Sequence, residues 1–208
     1  MQPNHMMISE KPAAPAVIHP VWLRVVHWLN VLAVLLMVTS GWRIYDAAPF
    51  WNFRIPTEWT LGGWLGGALQ WHFAGMWLLA INGLIYLSLN VGTGRFLKKF
   101  VPLTPSIILT DLKAALRGRL SHDDLTHYNG LQKAAYVFAV LDLIVLIVSG
   151  LVLWKSVQFQ MLRELLGGYE GARRVHFIAM SLLVAFVAGH VFMVALVPRT
   201  LLTMIRGR

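Results

Sequence analysis

Four long stretches without charged residues dominate the hydrophobic pattern of this chain. A helix needs about 20 apolar residues to cross about 30 Å of hydrocarbon, so each stretch predicts one membrane-spanning helix. The predicted spans, in chain order, are 22–43, 69–91, 133–154 and 174–198. The run Gly62-Gly63-Trp64-Leu65-Gly66-Gly67 is interpreted as a break before the second span, and Pro198 as the end of the fourth. The predicted fold is therefore an all-α membrane protein with a bundle of four transmembrane helices.

The segments outside the spans are predicted to contain two short helices. We expect a disordered arm at 1–19, the four-helix domain at 20–200 and a basic tail at 201–208. An apolar stripe from Thr104-Pro105 to Gly118 predicts one short surface helix, and the apolar residues of 157–166 predict another. Each short helix either covers an end of the bundle or docks a partner. We find no internal repeat along the chain.

Composition agrees with a bilayer environment. The 208-residue chain is 57% hydrophobic and 13% charged, whereas a soluble domain typically has about 25% charged residues. The chain contains no Cys, which excludes disulfides, thiolate metal sites, iron–sulfur clusters, a cysteine nucleophile and covalent haem attachment through C-x-x-C-H. Chemistry must therefore come from His, carboxylates or a bound cofactor.

The net charge of +9 is interpreted through membrane topology, and no nucleic-acid partner is expected. Most Lys and Arg residues lie in the N-terminal arm, the loop 92–133 and the C-terminal tail. Basic residues accumulate in cytoplasmic loops, so both termini are predicted to be cytoplasmic. Tryptophans, which favour the lipid headgroup layer, are predicted on the opposite side: Trp42, Trp51, Trp59, Trp64, Trp71 and Trp154.

Four histidines lie inside the predicted spans: His27, His72, His176 and His190. Ionisable residues in hydrocarbon are costly and usually functional. His176 and His190 are fourteen residues apart on one span, so they share a helix face and differ by about 21 Å in height. Following the chain through the bilayer, the heights pair His27 with His190 near the cytoplasm and His72 with His176 near the outer surface.

Two pairs of facing imidazoles in a helix bundle predict two bound haems. A porphyrin needs one axial ligand on each face, whereas zinc requires four ligands around one point. Without Cys, the haems must be of the non-covalent b type. Gly41, Gly75 and Gly189 would either make room for the cofactors or serve helix packing. Arg24 and Arg173, each three residues before a histidine, are candidates for binding haem propionates or are surface-seeking residues that set topology.

The residues around these histidines resemble the bacterial cytochrome b561 family. The matching stretches are 24–28, 71–73, 127–131, 176–177 and 189–191. Within the family, the chain is similar to the b-type cytochrome subunits of nickel–iron hydrogenases, formate dehydrogenase and related molybdenum oxidoreductases. Its glycine- and tryptophan-rich outer loop more weakly resembles that of cytochromes paired with sulfite-oxidase-like molybdenum proteins.

The resemblance implies a set of functional residues and partners. The implied axial ligands are His27 and His190 for the cytoplasmic-side haem, and His72 and His176 for the outer haem. It places Asn129 near a quinone head group, with His127 as a further candidate. It also implies a location in the bacterial inner membrane, exchange of electrons with quinone at the inner haem, and a periplasmic oxidoreductase partner, either a molybdenum enzyme or a hydrogenase.

The favoured interpretation is a respiratory-chain electron-transfer subunit that connects the quinone pool with this partner. An iron with two histidine ligands has no open position for substrate and therefore passes electrons. One alternative is a stand-alone superoxide:quinone oxidoreductase, and another is a cofactor-free membrane anchor or transporter. Asp142, inside the third span, is expected to be protonated, hydrogen-bonded across helices or part of a proton path.

Overall fold

The computed structural model describes residues 18–93 and 130–207, and every regular element within them is helical. Four of the helices are long and apolar enough to cross a membrane, which confirms the predicted fold class. The helices are α1 (Val21–Ala47), a 3₁₀ turn (Thr57–Trp59), α2 (Leu65–Gly92), α3 (Gly130–Trp154), α4 (Gln160–Leu165), α5 (Gly168–Leu196) and α6 (Pro198–Arg206). Residues 1–17 of the predicted arm and the whole of the predicted helix near 104–118 lie outside the described residues.

The four long helices form two antiparallel hairpins. Helix α1 packs along α2, and α3 packs along α5, whereas the two hairpins approach each other less closely. A buried cluster of Val38, Tyr45, Phe177 and Met180 joins α1 to α5. We call the end of the bundle that carries the loops 48–64 and 155–167 the loop side, and the opposite end the terminal side.

The glycine run before α2 has two different roles. Gly62 and Gly63 have φ angles of +107° and +70° and turn the chain, a conformation that favours glycine. Gly66 and Gly67 lie inside the first turn of α2, where a Cβ would overlap the Trp64 ring or the Gly62 carbonyl. The prediction that the whole run breaks the helix was therefore wrong. Helix α2 begins four residues earlier, at Leu65, and Gly66 and Gly67 are required by the contacts of its first turn with the preceding loop.

The C-terminal end of the chain also differs from the prediction. Helix α5 begins at Gly168 and ends at Leu196, and Pro198 begins a further helix, α6. Proline is favourable at the first position of a helix because its missing N–H is not needed there. Residues 201–206 of the predicted tail therefore belong to α6. The Gly207 carbonyl then accepts a backbone hydrogen bond of 2.9 Å from Ile18, which joins the segment before α1 to the end of α6.

The predicted short helix on the loop side is present as α4. It is followed by Gly167, whose φ of +83° ends it. Val157, Met161 and Leu165 are 82%, 83% and 80% exposed. These three side chains lie outside the packing of the bundle and do not cover its end.

Replacing Gly62 with Ala should destabilise the protein more than replacing Gly63. At Gly63 an added Cβ meets open space, so only the positive φ opposes the change, at a cost of about 1–2 kcal/mol. At Gly62 the Cβ also overlaps the backbone of Ala68, which adds about 1–3 kcal/mol. Thermal melting in detergent, followed by circular dichroism, should show the lower midpoint for Gly62→Ala. Equal midpoints for the two variants would contradict the close approach at Gly62.

Candidate functional site

The four span histidines lie in two facing pairs. The ring centroids of His27 on α1 and His190 on α5 are 6.3 Å apart. Those of His72 on α2 and His176 on α5 are also 6.3 Å apart. We call these the terminal-side pair and the loop-side pair. They are the same two pairs that the heights of the residues along the chain predicted.

The separation within each pair fits a single metal ion held between the two rings. A metal–imidazole bond is about 2 Å long, and the ligating nitrogen lies about 1 Å from its ring centre, so opposed ligands place ring centres about 6 Å apart. Among residues 18–93 and 130–207, no cluster of three or more His, Cys, Asp or Glu side chains could hold a metal. Two opposed imidazoles are the set that haem iron needs, because the porphyrin supplies the other ligands.

His72 is held by the neighbouring helix of its own hairpin. Its Nδ1 lies 3.1 Å from the carbonyl oxygen of Met37 and 3.2 Å from Oγ of Ser40, both on α1. A carbonyl oxygen can only accept, so Nδ1 carries the proton and donates it. The lone pair of the ring is then on Nε2, the nitrogen left available to a metal.

His176 is held in the same way by α3. Its Nδ1 lies 2.9 Å from Oγ of Ser149. The Ser149 hydroxyl donates its hydrogen to the carbonyl of Val145 at 2.6 Å, so Oγ accepts from His176, the proton is on Nδ1 and the lone pair is on Nε2. Both rings of the loop-side pair therefore have one defined tautomer with a free ligating nitrogen.

Glycines lie against both of these rings. A Cβ on Gly41 would be 3.5 Å from Cε1 of His72, and one on Gly150 would be 3.3 Å from Cε1 of His176. Gly41 thus lies directly beside the ring of a candidate ligand, where a Cβ would still make an ordinary contact, whereas the space at Gly150 is tighter. Gly75 serves helix packing, because its Cβ would lie 2.7 Å from Cγ of Met37 on α1. Gly189 faces open space, with nothing within 4 Å of an added Cβ.

The terminal-side pair has a more open setting. His190 is exposed and stacks on Phe186, with ring centroids 6.3 Å apart. Beside His27, the buried Asn82 of α2 donates hydrogen bonds to the Val26 carbonyl at 2.8 Å and to Oδ1 of Asn30 at 2.6 Å. Asn82 thus fixes α2 against the turn of α1 that carries His27.

The two candidate propionate-binding arginines have different surroundings. Arg24 donates to the carbonyl of Ile205, and its buried Nε has no hydrogen-bond partner within the described ranges. Arg173 forms an ion pair of 2.8 Å with Glu170, donates to the Ala48 carbonyl and lies over the ring of Phe50. Arg173 therefore anchors the loop after α1, whereas Arg24 retains an unused buried donor.

The remaining candidates are a carboxylate and the two quinone residues. Asp142 is 6% exposed on α3, and its Oδ2 has no hydrogen-bond partner in the part of the chain that the structure describes. The cross-helix bond expected for Asp142 is therefore not made by this oxygen. Asn129 and His127 lie outside the described residues.

Comparison with known proteins identifies the family. The model of a family described as prokaryotic cytochrome b561 matches residues 18–207. The chain belongs to the prokaryotic cytochrome b561 family. A relative from Azospira oryzae, provisionally named protein-methionine-sulfoxide reductase subunit YedZ1, is 70% identical over 190 residues, which cover 91% of this chain and 96% of the relative. No solved structure matches the chain.

Membership confirms the resemblance inferred from the histidine-containing stretches. A cytochrome b561 is a multi-pass bacterial membrane protein that transfers electrons through haem b. Sequence reasoning missed three polar residues that support the cytochrome b561 histidines: Ser40, Ser149 and Asn82. The available signal was a Ser-Gly pair near the end of the first span and another near the end of the third, together with an asparagine inside the second.

Replacing Gly150 with Ala should disturb the cytochrome more than replacing Gly41. The Cβ at Gly150 would lie 3.3 Å from Cε1 of His176, closer than an ordinary van der Waals contact, so the ring must move. The Cβ at Gly41 would lie 3.5 Å from Cε1 of His72, an ordinary contact. Haem b per protein after purification should fall several-fold in Gly150→Ala and stay near the parent level in Gly41→Ala. The reverse order would contradict the ring positions.

Proposed function

We propose that this cytochrome b561 binds two haems b and carries electrons across the bacterial inner membrane between the quinone pool and a periplasmic oxidoreductase. The observation that carries the proposal is the presence of two facing imidazole pairs, each with ring centroids 6.3 Å apart. Two such pairs need two irons, because both rings of each pair are used by one metal.

His27 and His190 would hold one haem, and His72 and His176 the other. Bound haem supplies reversible one-electron chemistry. The Nδ1–H bonds described above leave Nε2 of His72 and of His176 free to bind iron. With two imidazoles holding each iron, the protein would leave no position there for a substrate, which supports electron transfer over catalysis at the metal.

The spacing of the pairs supports transfer across the bilayer. His176 and His190 lie on one continuous helix, α5, and are about 21 Å apart along it. The charge distribution supports a cytoplasmic location for the terminal side, because the arm, the loop 92–133 and the tail carry most of the basic residues. The terminal-side pair would then exchange electrons with quinone in the cytoplasmic half, with Asn129 and His127 as candidate quinone contacts.

The Azospira relative supports a specific partner on the loop side. Its name describes a subunit of a protein-methionine-sulfoxide reductase, and the outer loop resembles that of cytochromes paired with molybdenum enzymes. We therefore propose a periplasmic molybdenum reductase of methionine sulfoxide as the partner. Reducing one sulfoxide to a thioether and water consumes two electrons and two protons; the electrons would come from one quinol. Exposed apolar side chains on the loop side are available for docking: Trp59, Trp64, Val157, Met161 and Leu165.

Single histidine variants test the haem assignment. His72→Ala or His176→Ala should remove the loop-side haem and spare the other, because each pair is built from its own two rings. His27→Ala or His190→Ala should remove the terminal-side haem. Reduced-minus-oxidised spectra with a haem count on purified protein measure both outcomes, and each variant should retain about one of two haems. His122→Ala, outside the four spans, is the control and should retain both.

A folded variant from either pair that loses both haems would contradict independent sites. A parent protein that purifies without haem after growth with ample haem would contradict the proposal as a whole, and would favour a membrane anchor or transporter.

Electron transfer should need both the terminal-side pair and the periplasmic partner. In lipid vesicles, quinol should reduce the purified cytochrome, and a purified periplasmic molybdenum-containing methionine-sulfoxide reductase should reoxidise it in the presence of an oxidised protein substrate. His27→Ala should slow reduction by quinol at least about tenfold, equivalent to a barrier increase of about 1.4 kcal/mol. Stopped-flow absorbance of the haem band measures both half-reactions. Turnover of superoxide with quinone by the cytochrome alone would instead favour the stand-alone enzyme.

A further inference from the structure

The two rings of the loop-side pair are held by one local arrangement that occurs twice. On α1, Oγ of Ser40 donates to the carbonyl of Leu36 at 2.5 Å. On α3, Oγ of Ser149 donates to the carbonyl of Val145 at 2.6 Å. In each case the serine donates to the carbonyl four residues earlier and lies at hydrogen-bond distance from a histidine Nδ1.

This is a short structural repeat that sequence analysis did not find. The stretches 36–41 and 145–150 share only the final Ser-Gly pair. In both, the serine lies at hydrogen-bond distance from Nδ1 and the glycine lies against Cε1 of the same ring. The two ligands, His72 on α2 and His176 on α5, are thus supported by equivalent positions of the two hairpins.

Each serine acts as an acceptor toward its histidine. Its own hydroxyl hydrogen is directed to a carbonyl of its helix, so the lone pairs of Oγ remain for the Nδ1–H group. In both rings the N–H group therefore has a hydroxyl oxygen as acceptor, and in His72 it also has the carbonyl oxygen of Met37. Hydrogen bonds to the distal nitrogen of a ligating histidine fix the ring orientation and raise the basicity of the ligating nitrogen. A more basic axial ligand favours the oxidised iron.

The terminal-side pair has no such support in the described residues, where no hydrogen bond involves a ring nitrogen of His27 or His190. The two sites therefore have similar ligand separations but different surroundings. A change to the serines should consequently affect one site only.

We infer that Ser40 and Ser149 are positioning residues for the loop-side haem, which hold both of its axial imidazoles in one tautomer and orientation and lower its reduction potential. The inference rests on the proposed function, because it takes His72 and His176 as ligands. The two serines would thus set the reduction potential at the loop-side pair and leave the terminal-side pair unaffected.

The experiment compares Ser40→Ala, Ser149→Ala and the double variant with the parent protein as purified with haem. Redox titration should show an upward shift in the midpoint potential of one haem, larger in the double variant, with the other haem unchanged. The low-spin ferric signal of the same haem in electron paramagnetic resonance should shift, because the ring orientations change. Ser149→Thr, which keeps the hydroxyl, should restore the parent potential.

Ser181→Ala is the matched control. Ser181 lies on α5 and also donates to the carbonyl four residues earlier, that of Phe177, at 2.9 Å; among the described residues it makes no hydrogen bond to a histidine ring. Removing it deletes the same kind of helix bond without touching the ring of a proposed ligand. It should leave both potentials and both resonance signals at parent values.

Three results would overturn the inference: unchanged potentials in both alanine variants, equal shifts of both haems, or an equal shift in Ser181→Ala. Each serine contacts a different ligand, so either single variant decides the question if the other fails to fold. A parent protein without haem would instead refute the proposed function, which separates the two failures.

Discussion

A polar group inside a membrane-spanning helix must find its partner within the protein, and this requirement organises the structure. Serine hydroxyls in α1 and α3 bond carbonyls of their own helix, and Asn82 bonds the backbone of α1. The same requirement acts on the histidines. His72 and His176 satisfy Nδ1 through a neighbouring helix, and within residues 18–93 and 130–207 the Nε2 atom of each ring has no hydrogen-bond partner. Haem iron, as proposed, would complete this set of bonds.

The loop side of the bundle is packed more tightly than the terminal side. On the loop side, Tyr45 and Phe177 pack with ring centroids 4.4 Å apart, directly beside His176, and Arg173 ties the end of α1 to α5. On the terminal side, His190 is exposed, and the backbone hydrogen bond from Ile18 to Gly207 joins the start of α1 to the end of the amphipathic α6. In the proposed orientation, the tightly packed loop side would face the periplasmic partner, and the more exposed terminal side would face the quinone.

Sequence reasoning predicted the spans and the histidine pairs because both follow from simple geometry. A long apolar run identifies a span, and helical rise converts residue number into height. The start of α2 was missed because Gly66 and Gly67 contact the loop before the helix, and a hydropathy pattern carries no information about such a tertiary contact. Ser40 and Ser149 were missed for a similar reason. A serine in a span usually bonds its own helix, and its second contact depends on which helices become neighbours.

The arrangement of the proposed ligands also explains how a loosely joined bundle can be a defined structure. The hairpins pack closely within themselves and less closely against each other. Helix α5 carries one histidine of each pair, and the partners His27 and His72 lie on the other hairpin. A metal held between the members of either pair therefore joins the two hairpins. Because a cofactor that binds only the folded state stabilises that state, two haems would supply the contacts that direct helix packing leaves out, one toward each end of the bundle.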